Sequence, residues 1–171
     1  VQRIDPKPTL VLIDLYLNQH QGDLALTAAK ELAGKFSTNL KVQLALAKTY
    51  LTNGAASDAR TVLTGATRLA EFDPKSQVAI ARMQLAAANP DGAAYSVHKA
   101  LQGNAGDVAA LALAVQVEAR RGDLAKADSA LKALSAKYPA AIETARAGAD
   151  LAMSRGQFAT AIAGYHKLLS R

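Results

Sequence analysis

Residues 121–139 read RGDLAKADSALKALSAKYP and hold the pattern that decides the fold. A turn sequence around Gly122 precedes three apolar side chains, Ala127, Leu131 and Leu134, which are spaced by four and three residues. These spacings place all three side chains on one face of a helix. The stretch therefore predicts a turn followed by an amphipathic helix.

The same pattern recurs along the chain with a period of 34 residues. The recurring alanine stands at Ala25, Ala59, Ala93, Ala127 and Ala161. A second apolar column precedes it by twelve residues, at Ile13, Ala47, Ala81, Val115 and Ala149. Turn-forming sequences lie between the two columns, at residues 21–23, 53–54, 89–92, 121–123 and 155–156. Each repeat is therefore predicted to be a helix, a short turn and a second helix.

Acidic residues mark the starts of several repeats. Asp5 and Asp73 each precede a proline, and Asp107 stands at the equivalent place in a third repeat. An aspartate can cap a helix whose first position is a proline. These residues are predicted to be N-caps.

The period and the alanine column resemble the tetratricopeptide repeat (TPR) family. The resemblance also includes Tyr16, Tyr50, the turn glycines and Pro139, whereas the family's tryptophan is absent and His20 occupies a glycine position. It implies an all-α TPR superhelix, right-handed, in which residues 1–171 form one array. The predicted repeats are 6–39, 40–73, 74–107, 108–141 and 142–171. A generic alanine-rich bundle is the alternative, but a bundle has no reason to keep one register five times.

A second resemblance concerns the alanine-rich segments GDLAKADSAL at 122–131 and LALAKTYL at 44–51. They are similar to repeats of the large bacterial TPR lipoproteins of PEP-CTERM and exosortase systems, which are associated with exopolysaccharide production. This resemblance implies a periplasmic or outer-membrane-tethered scaffold. The sequence otherwise leaves the localisation unknown.

The TPR resemblance implies a concave groove lined by the first helix of each repeat. Counting from the first residue of each repeat, positions 2, 5, 9, 12 and 13 face that groove in the family. The partner-binding residues implied in this way are Lys41, Lys48, Leu51, Lys75, Arg82, Leu85 and Arg120. The alternatives stay open: the cations can form an ordinary solvated face, and the leucines can be packing residues. The family's chaperone-tail site is disfavoured, because Asp14 stands where an asparagine is expected.

The composition and motifs disfavour catalysis and bound cofactors. The chain has no cysteine. Of its three histidines, His20, His98 and His166, the last two share a repeat position but are two repeats apart, too far to share a metal. No phosphate loop, HExxH motif or nucleophile elbow occurs, so we predict neither an enzyme nor a cofactor or metal site. Nucleic-acid binding is disfavoured, because aromatic residues that could stack on bases are scarce among the basic ones.

Two functions are therefore predicted. The first is a protein-interaction scaffold for a peptide or protein, an acidic one included, because the formal net charge is +6. The alternative is an envelope scaffold that contacts an anionic polysaccharide. No stretch reaches the ~18 apolar residues that a membrane span requires.

We also expect the chain to be a fragment of a longer array. It begins with Val1 rather than Met, and its last helix carries Tyr165, Leu168 and Leu169 at positions that face a following repeat. An uncovered apolar end of this kind predicts end-to-end self-association or fraying of the last helix.

Overall fold

The computed structural model describes residues 5–170, which form helices joined by short turns. The described part of the chain contains no β-strand. The helices are α1 (Lys7–Asn18), α2 (Gly22–Lys35), α3 (Leu40–Thr52), α4 (Ala56–Leu69), α5 (Pro74–Ala86), α6 (Pro90–Gly103), α7 (Val108–Arg120), α8 (Leu124–Lys137), α9 (Ile142–Ser154) and α10 (Phe158–Leu169). The predicted all-α class is confirmed, and α3 and α7 end before Gly54 and Gly122 as expected.

The chain divides into two compact units. The N-terminal unit contains residues 5–71 and Met83–Asn89, and the C-terminal unit contains Phe72–Arg82 and residues 90–170. Within the N-terminal unit α1 packs on α2, α3 packs on α4, and α3 also contacts both α1 and α2. Within the C-terminal unit α7 packs on α8, α9 packs on α10, and α7 contacts both α6 and α9.

The two apolar columns form the cores of these units. All five alanines of the second helices have no exposed surface, and the five residues of the first-helix column are at most 4% exposed. In the N-terminal unit the core includes Ile13, Leu17, Leu32, Val42 and Leu46. In the C-terminal unit it includes Val115, Leu134, Ala147 and Leu151. Alanine fits these positions because a small side chain lets two helices approach closely.

Asp73 and Asp107 cap α5 and α7 as predicted, whereas the prediction for Asp5 is wrong, because α1 begins at Lys7 and Pro6 occupies its N-cap position. Asp107 accepts a hydrogen bond at 2.8 Å from the backbone N–H three residues later. Asp5 and Asp73 accept hydrogen bonds at 3.0 and 3.1 Å from the backbone N–H two residues later. Such bonds satisfy donors that a helix leaves unpaired at its N-terminus. Asn39 caps α3 through its side chain as well, although its role was not predicted from the sequence.

Two predicted turn positions are wrong. Residues 22–23 and 90–92 belong to the starts of α2 and α6 rather than to turns. Both turns lie earlier in the chain. At α6 the reason is that a proline at position 90 suits the first turn of a helix. In each turn inside a repeat one residue has a positive φ, and these residues keep the 34-residue period: His20, Gly54, Ala88, Gly122 and Gly156. A glycine-type backbone conformation is therefore imposed on His20 and Ala88.

The ends of the predicted array, residues 1–4 and 171, lie outside the described part of the chain. Near the C-terminus, Leu169 is 84% exposed and Ile162 is 53% exposed, whereas Tyr165 is half-buried. The superhelical shape, the single array and the end-to-end association stay predictions. No helix among residues 5–170 is long and apolar enough to cross a membrane.

Candidate functional site

The predicted groove residues of the N-terminal unit differ in their solvent exposure and in whether they already form an ion pair. Lys41 and Lys48 on α3 are exposed, whereas Leu51 and Leu85 are half-buried. The Nζ of Lys48 donates a hydrogen bond to the carboxylate of Asp14 at 2.7 Å, and both side chains remain more than half exposed. The charge of Lys48 is thus partly compensated, whereas Lys41 forms no ion pair with any residue the structure describes.

The predicted groove residues of the C-terminal unit are Lys75, Arg82 and Arg120, and all three are exposed. Lys75 and Arg120 lie near opposite ends of their helices, at the second residue of α5 and the last residue of α7. Arg82 is the one of the three that lines a cavity described in this unit. The structure therefore places Arg82 in a concave site of this unit.

That cavity has a volume of about 360 Å³ and is formed by three first helices, α5, α7 and α9. Its lining residues are Arg82, Ala109, Ala112, Leu113, Gln116, Glu143, Arg146 and Ala147. The α7 residues are spaced by three, four and seven, so they form one face of that helix. Six of the eight stand at repeat positions 2, 5 or 9, which the family resemblance assigned to a groove. We call this site the C-terminal cavity.

The charged residues of the C-terminal cavity are unpaired within the described chain. Arg82 from α5 and Arg146 from α9 are both exposed, and neither forms an ion pair with a residue among 5–170. Glu143 lies one turn before Arg146 on α9, and it also forms no ion pair there. The cavity therefore offers two guanidinium groups and one carboxylate to a ligand.

A hydrogen-bond chain fixes one wall of the cavity. The amide Nε2 of Gln116 donates to the Asp150 carboxylate at 2.9 Å, and the Tyr165 hydroxyl donates to the other oxygen of the same carboxylate. The hydrogen bond to Asp150, together with burial, raises the pKa of Tyr165 above its ordinary value. Since a carboxylate only accepts, the amide nitrogen of Gln116 is held at Asp150, and its Oε1 remains an acceptor.

Sequence reasoning missed part of this cavity. Arg146 was not selected, although it stands at position 5 of its repeat, one period after Ala112. The repeat register would have identified it, because position 5 was already assigned to the groove. The pairing of Lys48 with Asp14, and of Gln116 with Asp150, had no signal in the sequence beyond their 34-residue separation.

Within residues 5–170, the histidine and carboxylate side chains do not form a metal site. No group of three or more His, Asp or Glu residues among 5–170 is arranged to hold a metal ion. His98 and His166 are exposed on α6 and α10.

The chain has the fold of TPR proteins of known structure. A tetratricopeptide repeat protein from Parabacteroides merdae ATCC 43184 is 17% identical, with a TM-score of 0.80 over 99% of this chain and 66% of that one. A thermophilic TPR protein from Thermus thermophilus is 20% identical, with a TM-score of 0.70 over 97% and 91% of the two chains.

A third similar structure, of the nearly identical TPR-like repeats of a kinesin light chain from Podosopora anserina, is 15% identical. Its TM-score is 0.74 over 96% of this chain and 93% of that one. Neither a protein-family model nor a curated protein sequence matches the chain. These likenesses confirm the predicted fold, and the resemblance to the PEP-CTERM lipoproteins stays a prediction.

Proposed function

We propose that this chain, which folds as TPR proteins do, is a non-catalytic protein-interaction scaffold that binds a peptide or protein segment on the first helices of its repeats. The observation that carries the proposal is the C-terminal cavity. Three successive first helices line it, and its residues are mostly alanine and unpaired arginine. A concave surface with a small apolar floor and a few polar groups suits an extended peptide.

The interaction class is supported by the fold as well. Proteins built of stacked repeats present extended concave surfaces to their partners. On this proposal Lys41, Lys48 and Leu51 contribute to binding in the N-terminal unit, as does Leu85. Lys75, Arg82 and Arg120 contribute in the C-terminal unit. Lys48 is expected to contribute least among the cations, because Asp14 already accepts its hydrogen bond.

Peptide display tests this function directly. Random dodecapeptides would be selected against the immobilised chain, and the dissociation constant of an enriched peptide would be measured by fluorescence anisotropy. Arg82→Glu should weaken binding at least about tenfold, because it replaces a charge-assisted contact with repulsion. Arg60→Glu, a change at an exposed arginine on α4, is the matched control. Failure to enrich any peptide, or equal binding by both variants, would contradict the proposal.

An anionic polysaccharide in an envelope secretion system is the second candidate. Lys41, Lys75 and Arg120 are exposed and form no ion pair within residues 5–170, which favours a polyanion as well as a peptide. The salt dependence of binding distinguishes a polysaccharide from a peptide, because exposed charges are screened over a Debye length of ~10 Å at 0.1 M. Binding of alginate that disappears at a few hundred millimolar NaCl, without any enriched peptide, would favour the polysaccharide.

A further inference from the structure

We infer that the C-terminal cavity recognises one acidic side chain, Asp or Glu, of an extended peptide with small neighbouring residues, and that Arg82 and Arg146 bind its carboxylate. The inference rests on the proposed function, since it specifies the ligand of that scaffold. It is carried by four features of the cavity: two unpaired guanidinium groups, a fixed acceptor, an alanine floor and a single carboxylate.

The two arginines define the charge of the ligand. The guanidinium group presents donors in a planar fork that matches a carboxylate, and it stays charged at any physiological pH. Arg82 and Arg146 come from different helices and line the same cavity, and neither has an ion-pair partner in the described chain. A carboxylate that enters this cavity therefore gains two donors without breaking an existing salt bridge.

Gln116 supplies the complementary contact to a peptide backbone. Its nitrogen donates to Asp150, and Asp150 is held in turn by the hydroxyl of Tyr165. The Oε1 of Gln116 makes no hydrogen bond with a described residue, and the side chain lines the cavity. It is thus available to accept a hydrogen bond from a backbone N–H of the peptide. Gln116 acts as a positioning residue for the peptide.

The apolar floor of the cavity limits the size of the peptide side chains on either side of the acidic residue. Ala109, Ala112 and Ala147 line the cavity together with Leu113, so the surface is smooth and apolar. From Ala109 to Gln116 the axis of α7 advances about 10 Å, which equals roughly three residues of extended peptide. A segment of roughly three extended residues therefore matches the length of this face of α7. Small side chains fit such a floor best.

The negative charge of Glu143 disfavours binding of a polyanion in this cavity. Its carboxylate lines the same wall as Arg146 and has no ion-pair partner in the described chain. A polymer with a charge on every unit would bring one of its anions close to Glu143, and like charges repel. A segment with one carboxylate avoids this cost.

Two matched peptides test the inference by nuclear magnetic resonance. The ¹⁵N-labelled full chain is titrated with Ac-Ala-Ala-Glu-Ala-Ala-NH₂ and with the same peptide carrying Gln in place of Glu. The Glu peptide should shift the amide signals of Ala109, Ala112, Gln116 and Ala147 saturably, with a dissociation constant on the order of 1 mM. The Gln peptide should bind at least about tenfold more weakly, because it loses the charge-assisted bonds.

Variants assign the contacts. Arg82→Gln and Arg146→Gln should each reduce the Glu-to-Gln preference to about twofold or less, whereas Arg60→Gln should leave it unchanged. Gln116→Ala should weaken both peptides by a similar factor, because its contact is to the backbone. Circular dichroism melting of each variant checks that the chain remains folded. Equal binding of the Glu and Gln peptides, or shifts confined to other helices, would overturn the inference.

A third peptide distinguishes the source of the carboxylate. Ac-Ala-Ala-Gln-Ala-Ala with a free C-terminal carboxylate should bind no better than its amide. Equal affinity of this peptide and the Glu peptide would overturn the side-chain assignment. If the Glu peptide fails while a display-selected peptide still binds, the inference is wrong and the scaffold function stands. If no selected peptide binds, the scaffold function itself fails.

Discussion

Lys48 donates a hydrogen bond to Asp14 at 2.7 Å, and the two residues occupy the same repeat position 34 residues apart. Gln116 and Asp150 repeat this relationship in the C-terminal unit, at 2.9 Å and the same separation. In each of these two pairs, side chains at position 9 of successive first helices contact each other. In the C-terminal unit, Gln116 at position 9 both makes such a link and lines the cavity.

The Lys48–Asp14 pair should contribute little to stability. Both side chains are more than half exposed, so a double-mutant cycle of Lys48→Met and Asp14→Asn should give a coupling of about 0.2–1 kcal/mol. The coupling should fall towards zero in about 1 M salt. Urea unfolding of the four proteins measures it. Lys35→Met, at an exposed lysine that makes no hydrogen bond with Asp14, should be additive with Asp14→Asn. A coupling above about 2 kcal/mol would show that the pair is structural.

Glycine should stabilise the chain at Ala88 and His20. These residues have φ values of 54° and 57°, a conformation that costs a non-glycine residue roughly 1–2 kcal/mol. Glycine removes that cost but adds about 0.5–1 kcal/mol of conformational entropy in the unfolded chain. Ala88→Gly and His20→Gly should therefore each raise the free energy of unfolding by about 0.5 kcal/mol, measured by urea denaturation.

Ala133→Gly is the control for these two substitutions. It lies on an exposed face inside α8, where glycine should cost about 1 kcal/mol. A destabilising effect of Ala88→Gly as large as that of the control would show that the turn does not impose the positive φ.

Two glycine-to-alanine substitutions should change the stability of the chain in opposite directions. A Cβ added to Gly164 would lie 2.9 Å from the Cβ of Ala149, whereas a Cβ added to Gly65 has no atom within 4 Å. Alanine favours a helix by about 1 kcal/mol, so Gly65→Ala should stabilise. Gly164→Ala should destabilise by about 1–3 kcal/mol, because α9 and α10 must move apart. Thermal unfolding of both variants measures the two effects, and stabilisation by Gly164→Ala would contradict the close packing.

Acidic pH should remove the contribution of the Asp73 cap to the free energy of unfolding. The side-chain hydrogen bond from Ser76, followed by its backbone N–H, lowers the pKa of Asp73 below its ordinary value of 3.8. A lowered folded-state pKa gives stability that is complete above the unfolded pKa and is lost as the pH falls through the folded one. Ser76→Ala should thus destabilise most above about pH 5, and the difference should shrink towards about pH 2. Unfolding by urea at several pH values measures it.

Ser129→Ala is the comparison for the pH experiment. Its hydroxyl donates to the backbone carbonyl of Ala125, so no carboxylate is involved. Its effect on the free energy of unfolding should be the same at every pH. A Ser76→Ala difference that is also independent of pH would mean that the cap does not act through the charge of Asp73.

The sequence by itself determined the helices and their cores. The alanine and first-helix columns are periodic signals, and both are buried throughout. The caps at Asp73 and Asp107 followed from local chemistry as well, because a capping bond joins residues two or three apart. The helices, their buried faces and these caps can therefore be predicted from local residue spacing alone, whatever the packing of the helices.

Only the tertiary structure decided which polar groups meet. Arg82 and Arg146 are 64 residues apart in the chain, yet they line one cavity because α5, α7 and α9 all contribute residues to its walls. The packing also places Lys48 against Asp14 and leaves Lys41 without an ion pair in the described chain. The repeat register predicts which face each side chain occupies. Whether two charges on that face touch depends on helix separation and rotamers, which the sequence pattern does not specify.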